Sequence, residues 1–116
     1  MELLEQIRKS LRISHSALDD ILLSDIYSGA DELMRVGVDP YVRDENGAFV
    51  LDADGSRIIQ DKPLIIRAID FWVKAVEDFE EKGDKYMKSF EKVRDSLSLS
   101  GDYHEKRTDN TDNDSQ

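Results

Sequence analysis

Residues 64–79 constrain the fold most, because apolar side chains occupy nearly every face of a helix over this stretch. Pro63 stands just before it, where the first turn of a helix tolerates proline. A helix that is apolar on most sides must be buried on most sides. We therefore expect it at the centre of a bundle, or covered further by other subunits. Its apolar residues are Leu64, Ile65, Ile66, Ala68, Ile69, Phe71, Trp72, Val73, Ala75, Val76 and Phe79.

Three further segments have apolar residues spaced by three and four positions, which is the helical period. They cover residues 2–11, about 17–36 and about 84–97. The spacing predicts a mainly α fold, a small bundle of about four helices. A length of 116 residues suits a single domain.

Several residues mark the ends and contacts of the second predicted helix. Ser16 with Asp19 three positions on resembles a capping box, and Gly37 suits the C-terminal cap. Gly29 inside the helix costs about 1 kcal/mol relative to alanine. We therefore expect a neighbouring helix to approach closely at Gly29.

Residues 41–59, between the second and third helices, differ in character from the rest of the chain. Asn46-Gly47 separates two short apolar runs, which is a strong signal for a β-hairpin, and residues 52–55 form a second turn. The sequence predicts a β-hairpin inserted at about 41–59. An isolated hairpin is barely stable in water, so the helices or another subunit must support it. No internal repeat is apparent.

The last residues have a different composition from the predicted domain, which covers residues 1–103. Residues 104–116 contain no apolar side chain and are rich in Asp, Asn, Thr and Ser. Such a segment buries too little surface to offset its ordering entropy. We expect a disordered, polar and acidic tail.

The charge balance restricts the partners of the chain. A formal net charge of -10 argues against a phosphate-binding protein and against adsorption to anionic membranes. The apolar stretch at 64–76 is too short to span a bilayer and contains Arg67, Asp70 and Lys74, so we expect no membrane association. The absence of cysteine excludes disulfides and thiolate zinc sites.

A search for catalytic and metal-binding patterns finds no convincing site. His15 and His104 lack a partner at metal-ligand spacing, and no nucleophile elbow or phosphate-binding loop occurs. Residues 52–55 resemble the start of a calcium loop, yet Ile58 and Ile59 stand where that loop should be polar. We expect no catalytic residue, metal or cofactor, and no enzyme activity.

Five residues are candidates for contacts with other proteins. Tyr41, Val42, Phe49 and Val50 belong to the predicted hairpin, which needs a surface to cover it. Trp72 is a possible interface anchor because aromatic side chains are favoured there. Its place in the most apolar helix favours a core position instead.

Three stretches of the sequence together resemble a known family. They are Leu-Arg-Ile-Ser at 11–14 with Leu-Asp-Asp at 18–20, Pro-Leu-Ile-Ile-Arg-Ala-Ile at 63–69 with Trp-Val-Lys-Ala at 72–75, and residues 90–103, which end in Leu-Ser-Leu-Ser-Gly-Asp-Tyr. In this order and spacing they resemble the small head-tail connector (adaptor, head-completion) proteins of tailed bacteriophages and prophages, in the version found in phages of Gram-positive hosts.

The resemblance covers about residues 1–103 and implies a structural role. Such proteins form a ring, typically a dodecamer, beneath the portal protein, extend the DNA channel and carry the stopper or tail-completion protein. It implies a place in the neck of the virion, with assembly in the host cytoplasm. DNA would pass through without specific binding, which suits an acidic chain. The insertion at 41–59 and the tail at 104–116 depart from the short form of the family.

Two other functions remain open from the residues alone. The first is an acidic regulatory module, such as an inhibitor that imitates DNA, whose acids would cluster on one outer face. The second is a small enzyme of another type, which would need a concave pocket with perturbed titratable groups.

Overall fold

A computed structural model describes residues 2–99, in which four α-helices carry most of the chain. The prediction of a mainly α fold is confirmed. The predicted tail at 104–116 and the predicted domain end at residue 103 lie outside the described residues. The helices are α1 (Glu2–Ser10), α2 (Asp19–Arg35), α3 (Pro63–Val76) and α4 (Gly83–Leu99), and a single 3-10 turn (Phe79–Glu81) separates α3 from α4.

The most apolar helix, α3, lies at the centre of the bundle. It packs against α4, α2 and α1, as its composition predicts. Its core-facing residues are fully buried, whereas Leu64 and Val76 at its two ends remain exposed. The ends of α3 are therefore less well covered than its middle. The fully buried residues are Ile65, Ala68, Ile69 and Val73.

Trp72 of α3 lies between α2 and α4. A Cβ atom at Gly29 of α2 would stand 2.8 Å from Trp72 Cδ1, so only glycine permits this approach. The indole Nε1–H donates to Ser28 Oγ at 2.8 Å, and the ring centroid lies 5.0 Å from that of Phe90 on α4. The predicted close approach at Gly29 is confirmed, and its partner is the tryptophan.

The two predicted caps of α2 differ in outcome. The capping box is wrong, because no side chain caps the start of α2 and the Asp19 carboxylate instead faces the Arg8 guanidinium of α1 at 3.3 Å. The C-terminal cap is confirmed, since Gly37 has a φ of +88° and its N–H donates to the Met34 carbonyl at 2.9 Å.

The predicted β-hairpin at 41–59 is not formed, and residues 2–99 contain no β-strand. Three segments, 41–43, 49–51 and 57–59, are joined by isolated antiparallel bridges. Their middle residues bond in a closed cycle. The N–H of Val42 donates to the Ile58 carbonyl at 2.8 Å, that of Val50 to Val42 at 3.1 Å, and that of Ile58 to Val50 at 3.1 Å.

This cycle explains why no regular ladder develops. Each middle residue gives its N–H to one neighbouring segment and its carbonyl to the other. The first residue of each segment pairs with one neighbouring segment and the third residue with the other. No two segments therefore keep the continuous pairing that a hairpin requires. The Asn-Gly turn is present, but a third segment shares the hydrogen bonds that a hairpin would keep between two strands.

The insertion is built on an eight-residue repeat, so the prediction of no internal repeat is wrong. Asp44 Oδ1 accepts from the amides two and four residues on, at 2.8 and 3.0 Å. Asp52 Oδ1 does the same at 2.9 and 3.0 Å. Gly47 and Gly55 close the two turns with φ values of +84° and +82°. The repeat is carried by these turn residues and by the apolar residues Val42, Val50 and Ile58, which recur every eight positions.

A buried carboxylate fastens the base of the insertion. Asp39 is 5% exposed, and its Oδ1 accepts from the Tyr41 N–H at 3.1 Å while its Oδ2 accepts from Arg43 Nε at 3.0 Å. The Gln60 amide closes the other end by donating to the carbonyls of Asp39 and Tyr41, at 2.9 and 3.1 Å. Side chains therefore hold the entry and exit of the insertion together.

We predict that Gly29→Ala destabilises the protein. Overpacking against Trp72 costs about 1–3 kcal/mol, and the better helix propensity of alanine returns about 1 kcal/mol. The midpoint of urea unfolding should therefore fall. Ser24→Ala on the exposed side of α2 is the control and should change it little. A Gly29→Ala variant more stable than wild type would contradict the close contact.

We predict that Asp39→Ala loosens the insertion. The change leaves the Tyr41 N–H and the Arg43 guanidinium without their carboxylate, at a cost of about 1–3 kcal/mol. Hydrogen exchange should show faster exchange at the amides of Val42, Val50 and Ile58. Asp20→Ala, at an exposed position of α2, is the matched control. Unchanged exchange at all three amides would show that Asp39 does not hold the insertion.

Candidate interaction surface

The predicted interface residue Tyr41 is used inside the chain. It is 2% exposed, its ring meets that of Phe49 edge-on at 5.5 Å, and its hydroxyl donates to Asp31 Oδ1 of α2 at 3.0 Å. Burial, and then the Asp31 carboxylate, raise the pKa of the Tyr41 hydroxyl, which keeps its proton as donor. Tyr41 therefore anchors the insertion on α2.

Phe49 is half-buried beneath two guanidinium groups. Those of Arg57 and Arg43 lie 3.8 and 3.9 Å from its ring centroid. Each such contact contributes about 0.5–1 kcal/mol at an exposed site. Trp72 likewise makes its contacts with α2 and α4. Three of the five candidate residues thus serve contacts within the subunit.

Val42 and Val50 are half-buried and lie outside the main core. The cyclic hydrogen bonds bring them together with Ile58, which was not among the five predicted interface residues. Because side chains alternate along an extended segment, these middle residues share the face opposite Tyr41 and Phe49. The eight-residue repeat was the signal that could have identified Ile58.

The most exposed large apolar residue of the insertion lies beside an exposed cation. Leu51 is 54% exposed and pairs with Arg57 across an antiparallel bridge. Residues paired without mutual hydrogen bonds have their side chains close together on one face. We call Leu51 and Arg57 the insertion patch.

A second exposed apolar region follows the contact between α2 and α3. The two helices are antiparallel, since Ser28 meets Trp72 while Asp25 meets Glu77. Ile21 lies one turn from Asp25, and Val76 lies one turn from Trp72, so both flank the contact between the two helices. They are 51% and 46% exposed. We call Ile21, Val76 and Glu77 the seam patch.

Asp25 lies beneath the seam patch in an environment that disfavours its charge. Burial, together with the hydrogen bond and like charge of Glu77, raises its pKa from 3.8 to about 7. Its Oδ2 atom is buried and receives no donor among the described residues. This arrangement fits a carboxyl that keeps its proton and shares it with Glu77.

A cleft of about 330 Å³ lies between α1, α2, the insertion and the start of α3. Its lining includes Leu3, Tyr27, Ile58 and Ile66. The Tyr27 hydroxyl donates to the Arg57 carbonyl at 2.8 Å, so it fixes the insertion. Asp25, whose pKa is strongly raised, does not line this cleft. The cleft and the perturbed Asp25 carboxyl are therefore separate features of the subunit.

The connection between α3 and α4 carries a concentration of negative charge. Five of the eight residues from 77 to 84 are acids, and all five are exposed. Glu80 forms ion pairs with Arg12 at 3.2 Å and with Lys82 at 3.9 Å. We call these acids the acidic corner: Glu77, Asp78, Glu80, Glu81 and Asp84.

Comparisons with known proteins identify no relative. No family model matches the sequence, and neither a curated protein nor a solved structure matches it. Across residues 2–99, the helices lack the combined length and apolar character that crossing a membrane demands. Over the same residues, no group of three or more His, Cys, Asp or Glu side chains is arranged to hold a metal ion.

We predict that Asp25→Asn stabilises the protein above neutral pH. A carboxyl whose folded pKa exceeds its unfolded pKa loses stability as pH rises from about 4 through about 7. Asparagine is uncharged and avoids this loss, which we expect to be about 1 kcal/mol after screening by solvent.

Urea unfolding of wild type and variant at pH 5 and pH 8 measures the difference. The gain from Asp25→Asn should be larger at pH 8. Asp20→Asn, at an exposed position of α2, is the matched control and should give the same difference at both values. An equal gain at both pH values for Asp25→Asn would contradict the raised pKa.

Proposed function

We propose that the protein is a head-tail connector subunit of a tailed phage or prophage, which forms a ring beneath the portal. The single observation that carries the proposal is that one helical subunit has two different exposed apolar patches. The insertion patch contains a cation, Arg57, and the seam patch contains an anion, Glu77. A ring built from one kind of chain needs two different surfaces on each subunit. The stretches that resemble connector proteins support the same proposal.

The two patches face different directions, as a ring requires. The Tyr27–Arg57 hydrogen bond places the insertion patch beside one face of α2. The seam patch instead lies beside the face of α2 that carries Asp25 and Ser28, where α2 contacts α3. Tyr27 and Ser28 are adjacent, so their side chains point about 100° apart around the helix. A second subunit is therefore needed to bring the two patches together.

The charge of the chain suits a DNA channel. With a net charge of -10, a ring of these subunits would repel the phosphates of a passing duplex. The acidic corner is the densest described group of such charges, and its residues Asp78, Glu80, Glu81 and Asp84 are our candidates for the channel wall. In this role the portal protein binds above the ring, and the stopper or tail-completion protein binds below it.

Co-sedimentation with portal-bearing capsids tests this role. We expect the full-length chain to sediment with capsids that contain the portal, because the ring assembles on that surface. Capsids assembled without portal are the control and should leave the chain in the supernatant. Equal binding to both kinds of capsid, or to neither, would overturn the proposal.

The acidic corner also favours one alternative, an inhibitor that imitates DNA. Its exposed acids lie on one connection of the bundle, as phosphates lie along a duplex. Such a protein would bind an enzyme that handles DNA, and duplex DNA would displace it. A connector would be retained on portal-bearing capsids in the presence of competing duplex.

A further inference from the structure

Resting on the proposed function, we infer which surfaces join neighbouring subunits. We propose that the insertion patch of one copy docks on the seam patch of the next, with Arg57 paired to Glu77 and Leu51 packed against Ile21 and Val76. The contact is head-to-tail, since each copy supplies a different surface to each neighbour.

The insertion patch presents its cation in a fixed position. The Arg57 side chain is exposed, yet its guanidinium lies 3.8 Å from the Phe49 ring centroid and 5.4 Å from that of Tyr41. The Tyr27 hydroxyl holds its backbone carbonyl. A side chain held in this way loses little freedom on binding, which lowers the entropy cost of association. Leu51, on the same face, adds apolar surface beside the charge.

The seam patch offers the matching chemistry. Glu77 is exposed, and the apolar side chains of Ile21 and Val76 in the same patch are about half exposed. Beneath it, Asp25 has a carboxyl that is poorly solvated. An arginine brought against Glu77 would compensate negative charge at a place where no cation within residues 2–99 forms an ion pair with Asp25. Apolar residues around the pair would exclude water and strengthen the ion pair.

A second copy of this chain fits the insertion patch better than a nucleic acid does. Arg57 shares its cleft with Asp52, and Asp54 stands in the adjoining turn, so a phosphate backbone would meet repulsion there. A carboxylate on a small apolar surface avoids those acids. The seam patch provides that combination, and every copy carries both halves of the contact.

Charge reversal tests the contact. Arg57→Glu and Glu77→Arg should each weaken self-association at least about tenfold, because like charges then face each other. An equimolar mixture of the two variants should assemble as wild type does, because every contact between unlike chains again joins opposite charges. Sedimentation velocity at the highest soluble concentration measures assembly, and thermal melting checks that each variant is folded.

Matched charge reversals on α4 serve as controls. Lys88→Glu and Glu91→Arg change exposed residues outside both patches and should leave assembly unchanged. If Arg57→Glu and Glu77→Arg assemble as wild type does, or if their mixture fails while both variants are folded, the proposed contact is wrong.

Cysteine pairing tests the same contact without changing its charges. The chain has no cysteine, so any disulfide reports only introduced residues. A mixture of Leu51→Cys and Val76→Cys chains should form crosslinked dimers under mild oxidation, and each variant alone should form few. Efficient crosslinking of Leu51→Cys with itself would indicate a symmetric contact and overturn the head-to-tail one.

The outcomes separate this contact from the proposed connector role. If charge-reversed chains load onto portal-bearing capsids to the same extent as wild type does, the contact is wrong and the role stands. If the contact forms in solution but the chain never binds portal-bearing capsids, the role is wrong and the contact stands. A wild-type chain that remains monomeric both in solution and on capsids overturns the contact.

Discussion

The contact between Trp72 and Gly29 determines how the bundle is arranged. A side chain at position 29 would collide with the indole, so glycine lets α2 and α3 approach closely. The other side of the indole meets Phe90, which brings α4 against the same helix. Once α2 and α3 are held antiparallel at this distance, Asp25 must meet Glu77, and Ile21 and Val76 must flank them. The seam patch is a consequence of that packing.

The insertion depends on a different interaction, the buried carboxylate of Asp39. It holds Tyr41 and Arg43 at the entry, while Gln60 closes the exit, so three short segments can bond in a cycle without a regular strand. Such a closed arrangement satisfies the backbone groups that an isolated hairpin would leave at its edges. It also fixes Leu51 beside Arg57, which makes this part of the surface a defined shape rather than a flexible loop.

The aromatic candidates show why interface residues are difficult to select from a sequence. Tyr41, Phe49 and Trp72 were reasonable choices because aromatic side chains are common at interfaces. Each of them instead packs within the subunit, where aromatic rings are equally useful. The exposed residues are aliphatic: Ile21 and Val76 lie near helix ends, and Leu51 lies in a bridged segment of the insertion. Their exposure depends on which neighbours reach them, and spacing alone does not contain that information.

The sequence by itself determined the mainly α fold, the central place of α3, the close approach at Gly29 and the C-terminal cap at Gly37. These follow from local periodicity and from backbone conformations that few residues adopt. Only the tertiary structure decided that residues 41–59 close into a cycle, because hydrogen bonds between distant segments compete with the local hairpin. The tertiary structure also decided which apolar residues stay exposed. Leu51, Ile21 and Val76 are large aliphatic residues, as many core residues are, so residue type does not distinguish them from the core. The packing of the chain leaves these three exposed.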